Sequence, residues 1–327
     1  MGKLNLGVIG AGYWGKKIIQ EYTLLAKQDP YVGLLGACDI LEGNLECCRK
    51  NFGVPCVTQR YEELISLPEV GAVHICTPNE THYQICRDAL EAGKHVLLEK
   101  PMTLDSREAY ELQRLAEKKD LILSVGHIFR FSNALKKTRS LIEEGSLGEI
   151  FYLRLQWTAH MPPFYDRDII TDLAPHPFDI LNFLLDRWPA KITCKARSCR
   201  PETREEVAYI TSEFDNDLLG QMELSWLAPE KIREVTVVGS EKVVRVDCLS
   251  QEVVVSQGGM SCSLDVERNN TIAAELQHFI GRIQNNDAED EAANRCSGTV
   301  GAHVVRLLEA SRRSLEADRT IRVKIGS

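Results

Sequence analysis

The residues whose chemistry is easiest to interpret form a glycine pattern near the start of the chain. Gly10, Gly12 and Gly15 follow an apolar segment and open an amphipathic one, with Tyr13 and Trp14 before the last glycine. After a strand, G-x-G-x-x-G gives a tight turn, a close backbone approach to a pyrophosphate and a helix whose N-terminus faces the phosphates. An ordinary glycine turn is the alternative, but the flanking segments predict a dinucleotide-binding loop.

A carboxylate stands where such a loop needs one. Asp39 ends the second apolar segment, 24 positions after Gly15, near the spacing of about 20 typical of the acidic residue that binds the adenosine ribose. Its carboxylate can accept hydrogen bonds from both ribose hydroxyls and would repel a 2′-phosphate. Because Ile40 follows, no arginine is adjacent to receive that phosphate, and the sequence predicts NAD rather than NADP. A solvated aspartate at a strand end is the alternative.

Three further polar residues directly follow predicted strands. They are Asn79, Lys100 and His127. The carboxyl ends of parallel strands meet at one edge of a sheet, where open α/β proteins bind their ligands. We therefore expect these three side chains to line a cofactor crevice. Pro101 restricts Lys100 to an extended conformation, which aims its side chain at a fixed place.

A second candidate site lies in the other half of the chain. Asp172 and His176 are four residues apart, which on a helix places them on one face. A histidine beside two carboxylates, here Asp172 and Asp179, is a candidate for proton transfer. Because Pro175 suits the first helical turn, Asp172 could equally cap the helix.

The elements that must position these residues change character near residue 126. Before it, short apolar runs alternate with helical segments of 10–15 residues, which predicts βαβ units and a doubly wound parallel Rossmann sheet. After it come longer strand-like runs joined by short polar turns, which favour a large, mainly antiparallel sheet with helices. The expected domains are 1–126, binding NAD, and 127–327, an α+β domain for substrate binding and oligomerisation.

Composition excludes several classes of protein. The chain has 327 residues, 39 Lys+Arg and 47 Asp+Glu, hence a net charge of −8, which disfavours nucleic acid or an anionic membrane as the main partner. No apolar run reaches membrane-spanning length, and the 11 cysteines form no C-x-x-C pair. The sequence therefore predicts a reduced, cytoplasmic protein with no membrane span, disulfide framework or metal site.

Three segments resemble the glucose–fructose oxidoreductase / inositol dehydrogenase / MocA family over nearly the whole chain. They are Cys76-Thr77-Pro78-Asn79 with His82, Glu99-Lys100-Pro101, and Asp172 to Asp179. The resemblance implies a Rossmann domain that binds NAD(P) and a second domain built on a large sheet, with a homodimer or homotetramer expected through that sheet. It also implies cofactor contacts from Thr77, Pro78, Asn79, His82, Glu99, Lys100 and His127. Lys100, Asp172 and His176 become the presumptive catalytic set, in contact with substrate.

A closer resemblance narrows the substrate. Gly126 to Phe131, Asp168 to His176, and the W-x-x-P-x-K-x-R segment from Trp226 to Arg233 are similar to the nucleotide-sugar 3-dehydrogenase branch of the family. That branch implies oxidation of the 3-hydroxyl of UDP-N-acetylglucosamine or its uronic acid. Arg130, Lys231 and Arg233 would then supply cations for the substrate diphosphate, with surface salt bridges as the alternative for Lys231 and Arg233.

Two other activities stay open. The family also supports an inositol or free-sugar dehydrogenase, and some members of the superfamily are ligand-sensing regulators without turnover. Loss of the lysine or histidine would mark the regulator, and both Lys100 and His176 are present. The sequence does not decide which of these two is the primary base.

Overall fold

The protein is described by a computed structural model covering residues 3–215, 217–285 and 296–325. Within these ranges the chain divides into two compact units. The first contains the chain up to Ile128 together with Thr271–Ala302, and the second contains Phe129–Asn270 and the chain from His303.

The first unit is built on a parallel sheet of six strands. In spatial order it reads β3-β2-β1-β4-β5-β6, so the order reverses between β1 and β4. The strands are β1 (Leu4–Ile9), β2 (Val32–Cys38), β3 (Cys56–Thr58), β4 (Val70–Ile75), β5 (His95–Leu98) and β6 (Leu123–Val125). Such a reversal opens a crevice at the carboxyl ends of the central strands, the usual ligand site of doubly wound folds.

Five helices connect these strands. They are α1 (Tyr13–Gln28), α2 (Glu42–Phe52), α3 (Tyr61–Ser66), α4 (His82–Glu91) and α5 (Ser106–Lys118). The central strands are apolar and almost fully buried, as expected when helices cover both faces of a parallel sheet. The alternating strands and helices predicted for this half of the chain are therefore present.

The first unit also contains the later segment Thr271–Ala302. The predicted division, in which every residue after 126 belongs to the second domain, differs from this. Leu276, Phe279 and Ile280 of helix α9 (Thr271–Asn285) are buried in the same apolar cluster as β1 and α1. The Val125 amide also donates to the Cys296 carbonyl at 2.8 Å. An amphipathic helix carries no sequence signal for the sheet on which it packs, so this docking could not be seen in the sequence.

The second unit is built on a mixed sheet of nine strands. Its order is β14-β13-β12-β11-β7-β10-β9-β8-β15. Among the described strands of this sheet, β7 and β10 pair in parallel and all other neighbours pair antiparallel. The strands are β7 (Ile150–His160), β8 (Lys191–Arg197), β9 (Val207–Glu213), β10 (Leu219–Ser225), β11 (Leu227–Gly239), β12 (Val243–Asp247), β13 (Glu252–Gln257), β14 (Met260–Leu264) and β15 (Ile321–Arg322). The predicted fold class, a Rossmann sheet plus a large, mainly antiparallel one, is confirmed.

Helices cover one face of this second sheet. They are α6 (Asn133–Glu143), α7 (Ile169–Leu173), α8 (Pro175–Leu185) and α10 (Gly298–Ala317), the last of which begins in the first unit. Leu155 and Trp157 of β7 are buried against Phe178 and Leu181 of α8 in one cluster. None of the helices described here combines the length and apolar character needed to cross a membrane.

His95, at the start of β5, should make folding sensitive to acid. Its Nδ1 accepts the Ile122 amide at 3.0 Å, which requires a neutral ring, and burial lowers its pKa below 6.5. The folded state therefore binds fewer protons than the unfolded state, so stability present at neutral pH is lost as pH falls below about 6.5. Melting temperatures from pH 8 to 5 should fall less steeply in His95→Asn, whose amide oxygen keeps an acceptor, than in the wild type.

The exposed His160 offers the matched control. His160→Asn should follow the wild-type curve throughout. Equal slopes for His95→Asn and the wild type would show that the His95 proton does not contribute.

Candidate functional site

The glycine loop has the geometry of a phosphate cradle. Gly10 adopts a φ of +91°, and a Cβ on Gly15 would lie 1.8 Å from the Gly10 carbonyl oxygen, so neither position accepts a side chain. Gly12 differs, because a Cβ there would meet no protein atom within 4 Å. Packing inside the protein does not require glycine at residue 12, and the space beside it suits the close approach of a pyrophosphate. Tyr13 is 80% exposed at the start of α1.

Asp39 is held in place by the backbone around it. Its two carboxylate oxygens accept the amides of Ala11 and Leu41 at 2.7 and 2.9 Å, and the residue is only 9% exposed. One bond comes from the glycine loop, so the loop and the carboxylate form a single unit. Each oxygen retains acceptor capacity for a ribose hydroxyl. The residues present therefore fit the adenosine half of NAD.

The loop after β4 is fixed by a buried histidine. His82, at 0% exposure, lies with Nε2 2.9 Å from the Thr77 carbonyl oxygen and Nδ1 2.9 Å from the Pro101 carbonyl oxygen. Burial lowers its pKa below the ordinary value. The ring thus joins the loop of Thr77, Pro78 and Asn79 to the loop after β5, and it offers little surface to a bound cofactor. His127 is likewise buried, at 1% exposure.

Glu99 lies at the centre of the strand-end cluster. Its Oε1 accepts the Trp14 indole N–H and lies 3.4 Å from Nε2 of His74, and its Oε2 accepts the Lys100 amide at 3.3 Å. Burial raises the pKa of this carboxyl, but His74 and Trp14 outweigh burial, and the pKa stays below its usual value. Glu99 is therefore a buried carboxylate anion beside half-buried Lys100.

Three side chains of this cluster have the types that bind metals. Donor atoms of His74, Cys76 and Glu99 lie within 4.8 Å of one another. Burial, together with Glu99 and Glu275, raises the pKa of the Cys76 thiol well above its usual value, which keeps it in the protonated form that does not ligate metals. The hydrogen bond from Trp14 to Glu99 already uses one of the donor atoms. We interpret the cluster as a hydrogen-bonded group that holds Trp14 and the backbone of Lys100 in place.

In the second unit, the predicted catalytic residues lie on two successive short helices. Asp172 is on α7, whose first residue follows the capping carboxylate of Asp168, and His176 is in the first turn of α8. Asp172 does not cap α8, whose N-cap residue is Ala174 with no side-chain cap bond. The side-chain cap in this segment is Asp168, which is the N-cap residue of α7 and accepts the Thr171 amide at 2.9 Å. Sequence reasoning missed Asp168 as a cap, although a D-x-x-T pattern before an apolar run was a usable signal.

An aromatic pair supports His176. Its ring packs edge-on against Phe129, with centroids 5.0 Å apart, and Phe129 packs edge-on against Trp157 at 5.5 Å. The guanidinium of Arg233 lies 5.9 Å from the centre of the Trp157 ring. The structure thus brings Asp172, His176 and Arg233 into one region with two aromatic rings that sequence reasoning did not single out.

The three predicted cations differ in their surroundings. Arg130 is 4% exposed, and its guanidinium donates to Asp179 Oδ1 at 2.5 Å and to Asn182 Oδ1 at 2.6 Å. This geometry does not favour the predicted contact of Arg130 with a diphosphate, since buried partners already use its donors. It also removes Asp179 as the second carboxylate beside His176.

Arg233 and Lys231 remain available to an anion. Arg233 donates to the carbonyls of Thr158 and Ile232, each at 2.9 Å, and burial lowers its pKa to about 10 although Asp172 opposes this shift. Among the described residues, no carboxylate forms a salt bridge with it. Lys231, two residues earlier on β11, is exposed. A half-buried guanidinium that forms no salt bridge retains donors for an anionic ligand.

Comparison with known proteins identifies the family. A family model described as an oxidoreductase family with an NAD-binding Rossmann fold matches residues 4–127, and that of the GFO/IDH/MocA C-terminal domain matches residues 135–245. The chain belongs to the GFO/IDH/MocA oxidoreductase family. The predicted family and the predicted cofactor, NAD, are thereby confirmed.

Two curated relatives span nearly the whole chain. UDP-N-acetylglucosamine 3-dehydrogenase of Acidithiobacillus ferrooxidans is 26% identical over 328 residues, 96% of this chain and 98% of the relative. Myo-inositol 2-dehydrogenase of Thermotoga maritima is 24% identical over 339 residues, covering 98% and 99%. Both enzymes are dehydrogenases of small-molecule alcohols.

Solved structures show the same fold. The structure of the Acidithiobacillus ferrooxidans enzyme matches with a TM-score of 0.84 at 26% identity, covering 97% of this chain and 99% of that chain. An oxidoreductase from Agrobacterium radiobacter, solved with NAD+, L-tartaric acid and magnesium, matches with a TM-score of 0.86 at 20% identity and 98% coverage of both chains. The site residues of this GFO/IDH/MocA member stay predictions, as these likenesses do not test them.

Asp39 should decide the choice of cofactor in this family member. The wild type should bind NADH about 10- to 1,000-fold more tightly than NADPH, because a charge-assisted hydrogen bond contributes about 1.5–3 kcal/mol and the carboxylate repels the 2′-phosphate. Asp39→Ala should lose most of this difference, as measured by fluorescence titration with both cofactors. Equal affinities in the unmodified protein would contradict the assignment of Asp39.

Arg130 should act on stability. Arg130→Met leaves Asp179 buried without its cation, which should cost about 3–5 kcal/mol of unfolding free energy in urea titrations, and a second change, Asp179→Leu, should recover part of that loss. Arg139 provides the control, because its guanidinium also lies over Phe183 but pairs with exposed Glu143. Arg139→Met should cost less than about 1 kcal/mol. Similar losses for both single variants would refute this assignment.

Proposed function

We propose that this protein is an NAD-dependent dehydrogenase of a nucleotide sugar, oxidising a secondary hydroxyl, at C3, of UDP-N-acetylglucosamine or its uronic acid. The observation that carries this proposal is the group formed by Asp172, His176 and Arg233, in which two candidate proton-transfer residues share one region with a half-buried cation that forms no salt bridge among the described residues. The first unit adds an NAD site and Lys100. The name of the Acidithiobacillus ferrooxidans relative supports the same substrate class.

Oxidation of a secondary alcohol needs a group that accepts the hydroxyl proton as hydride departs. Bound NAD+ accepts the hydride. Lys100 or His176 accepts the proton, and Asp172 orients His176 and stabilises its charged form. We propose that these three residues act on one substrate, with the two candidate bases able to titrate as a coupled pair.

Arg233 and Lys231 supply the charge that a nucleotide sugar requires. A diphosphate needs cations, and a half-buried guanidinium gives directional, charge-assisted hydrogen bonds to phosphate oxygens. Exposed Lys231 on the same strand would bind the more distant phosphate. Phe129 and Trp157 hold His176 and Arg233 on a rigid apolar support.

An inositol or free-sugar dehydrogenase is the second candidate. The myo-inositol 2-dehydrogenase relative is 24% identical over 98% of this chain, and inositol presents the same kind of secondary hydroxyl to the same groups. Inositol carries no phosphate, however, so it gives Arg233 no anion. A ligand-sensing regulator is less favoured, because Lys100, Asp172 and His176 are all present.

We also propose a cytoplasmic homodimer or homotetramer, joined through the second sheet. Tyr152 of β7 and Leu219 of β10 are register partners, and Tyr209 lies on the adjacent β9. These three large side chains are 43–50% exposed on the face opposite the buried Leu153 and Leu155. A second copy would cover this apolar surface.

A substrate panel tests the proposal. NADH formation with UDP-N-acetylglucosamine, its uronic acid, free N-acetylglucosamine and inositols should give at least about 100-fold higher kcat/KM for a UDP-sugar, because binding energy from the nucleotide orients the reacting carbon. Lys100→Met and His176→Ala should each lower kcat by about 10²–10⁴ with little change in NADH affinity. His160→Ala, at an exposed histidine of the same unit, should keep wild-type turnover.

The outcomes separate the candidates. Free sugars or inositols that react as well as any UDP-sugar would select the second candidate. Near-normal turnover of Lys100→Met would contradict the catalytic assignment. NADH binding without turnover of any alcohol in the panel would favour the regulator.

A further inference from the structure

Lys100 lies between Glu99 and Pro101 in the sequence, and each of these two residues is in hydrogen-bond contact with a side chain from another segment of the chain. The carboxylate of Glu99, before it, accepts the indole N–H of Trp14. The carbonyl of Pro101, after it, lies 2.9 Å from the ring of His82. The backbone of Lys100 therefore has a hydrogen-bonded anchor on each side.

The first anchor reaches the glycine loop. Trp14 lies between Gly12 and Gly15 at the start of α1, so its indole moves with the segment that the pyrophosphate approaches. Glu99 also accepts the amide of Lys100 itself at 3.3 Å. A Cβ on Gly126 would lie 3.0 Å from Glu99 Oε2, which shows how closely the carboxylate is packed. Trp14 and Glu99 thus form a short, enclosed link from the cofactor loop to Lys100.

The second anchor reaches the loop after β4. The other nitrogen of His82 lies 2.9 Å from the carbonyl oxygen of Thr77, the residue before Pro78 and Asn79. Both partners are carbonyls, which only accept hydrogen bonds. The neutral ring donates to one of them and the protonated ring to both, and in either state it fills the buried space between the two loops.

We propose that Trp14 and His82 are positioning residues that fix Lys100, Trp14 through the carboxylate of Glu99 and His82 through the carbonyl of Pro101. The two loops that would hold NAD thereby also hold the lysine. Neither residue needs to touch the reacting atoms. This role differs from the cofactor contact expected for His82, whose ring is buried between two backbone segments.

Anchors on Glu99 and Pro101 restrict the movement of the Lys100 backbone between them. A proton acceptor works only within hydrogen-bond reach of the hydroxyl, and displacements of about 1 Å can cost about 100-fold in rate. Anchors on both neighbours limit such displacements of the lysine backbone. Binding of NAD to the anchored loops should tighten the same segment.

Hydrogen exchange of the wild-type protein, with and without NADH, gives the direct test. Trp14→Phe keeps an aromatic ring and removes only the N–H donor, and His82→Leu removes both ring nitrogens. Each should speed exchange of the amides of Lys100 and Met102 by about ten-fold, the factor expected when one hydrogen bond is lost. His82→Gln, whose amide can donate to one carbonyl, should restore part of the protection.

His95→Asn and Trp188→Phe are the matched controls. His95 lies at the opposite end of β5 from Glu99, and Trp188 packs against His303 in the second unit. Both should leave exchange at Lys100 and Met102 unchanged. Wild-type exchange there in Trp14→Phe and His82→Gln would overturn the proposal, whatever the substrate is. If His82→Leu fails to fold, Trp14→Phe and His82→Gln still decide it.

Kinetics form a second arm, which rests on the proposed dehydrogenase function. Trp14→Phe and His82→Leu should lower kcat by about 10- to 100-fold and His82→Gln by less, with NADH affinity changed less than about three-fold in each, because positioning acts on the reacting geometry. A rise in the dissociation constant of NADH with unchanged kcat would overturn the proposal in favour of direct cofactor contacts. A wild-type protein without turnover would refute the proposed function alone, and the exchange result would still stand.

Discussion

The contact between Gly10 and Gly15 is the constraint on which the first unit depends. A Cβ on Gly15 would stand 1.8 Å from the Gly10 carbonyl oxygen, so the start of α1 lies directly against the end of β1. That placement puts the indole of Trp14 within reach of Glu99, and it brings the amide of Ala11 to Asp39 at 2.7 Å. The glycine loop, Asp39 and the end of β5 are thus fixed by one close backbone approach. Packing requires glycine at residues 10 and 15, whereas the space beside Gly12 is left open for the predicted pyrophosphate contact.

Buried ionised side chains are stabilised in different ways in the two units. Glu99 is an anion kept inside the first unit, stabilised by His74 and Trp14 against the cost of burial. In the second unit, Arg130 and Asp179 neutralise each other in the core, whereas half-buried Arg233 donates to two carbonyls and, among the described residues, forms no salt bridge, although the charge of Asp172 acts on it. A buried ion pair stabilises the fold only when both partners are present. A partly buried cation with no salt-bridge partner can instead gain electrostatic interaction energy when an anionic ligand binds. Of the three cations, Arg233 therefore fits the proposed contact with an anionic substrate better than Arg130, whose donors are already used inside the core.

The sequence predicted the Rossmann fold and the NAD cofactor of the first unit because its signals are local. The glycine pattern, Asp39 and Lys100 each follow a strand within short βαβ units. The regular alternation of strands and helices therefore locates each of these residues at a strand end from the sequence alone. The roles of Arg130 and His82 could not be predicted in this way. Asp179 is 49 residues from Arg130, and the partners of His82 are carbonyls, which every residue has. The docking of α9 on the first unit was hidden for the same reason, since its apolar face would suit either sheet.

These differences show what kind of inference each half of the protein permits. Dinucleotide binding uses backbone amides and a single carboxylate, so few residue types satisfy it and the sequence pattern is informative. The side chains proposed to face the substrate, Phe129, Trp157 and Arg233, come from separate segments: Phe129 precedes α6, whereas Trp157 and Arg233 are register partners on β7 and β11. One substitution in that group would leave the fold and the NAD site intact while changing the charge presented to the substrate. If these side chains bind the substrate as proposed, substitutions among them would change substrate choice and leave the cofactor loop unchanged. Relatives of 26% and 24% identity are named for a nucleotide sugar and for an inositol, respectively.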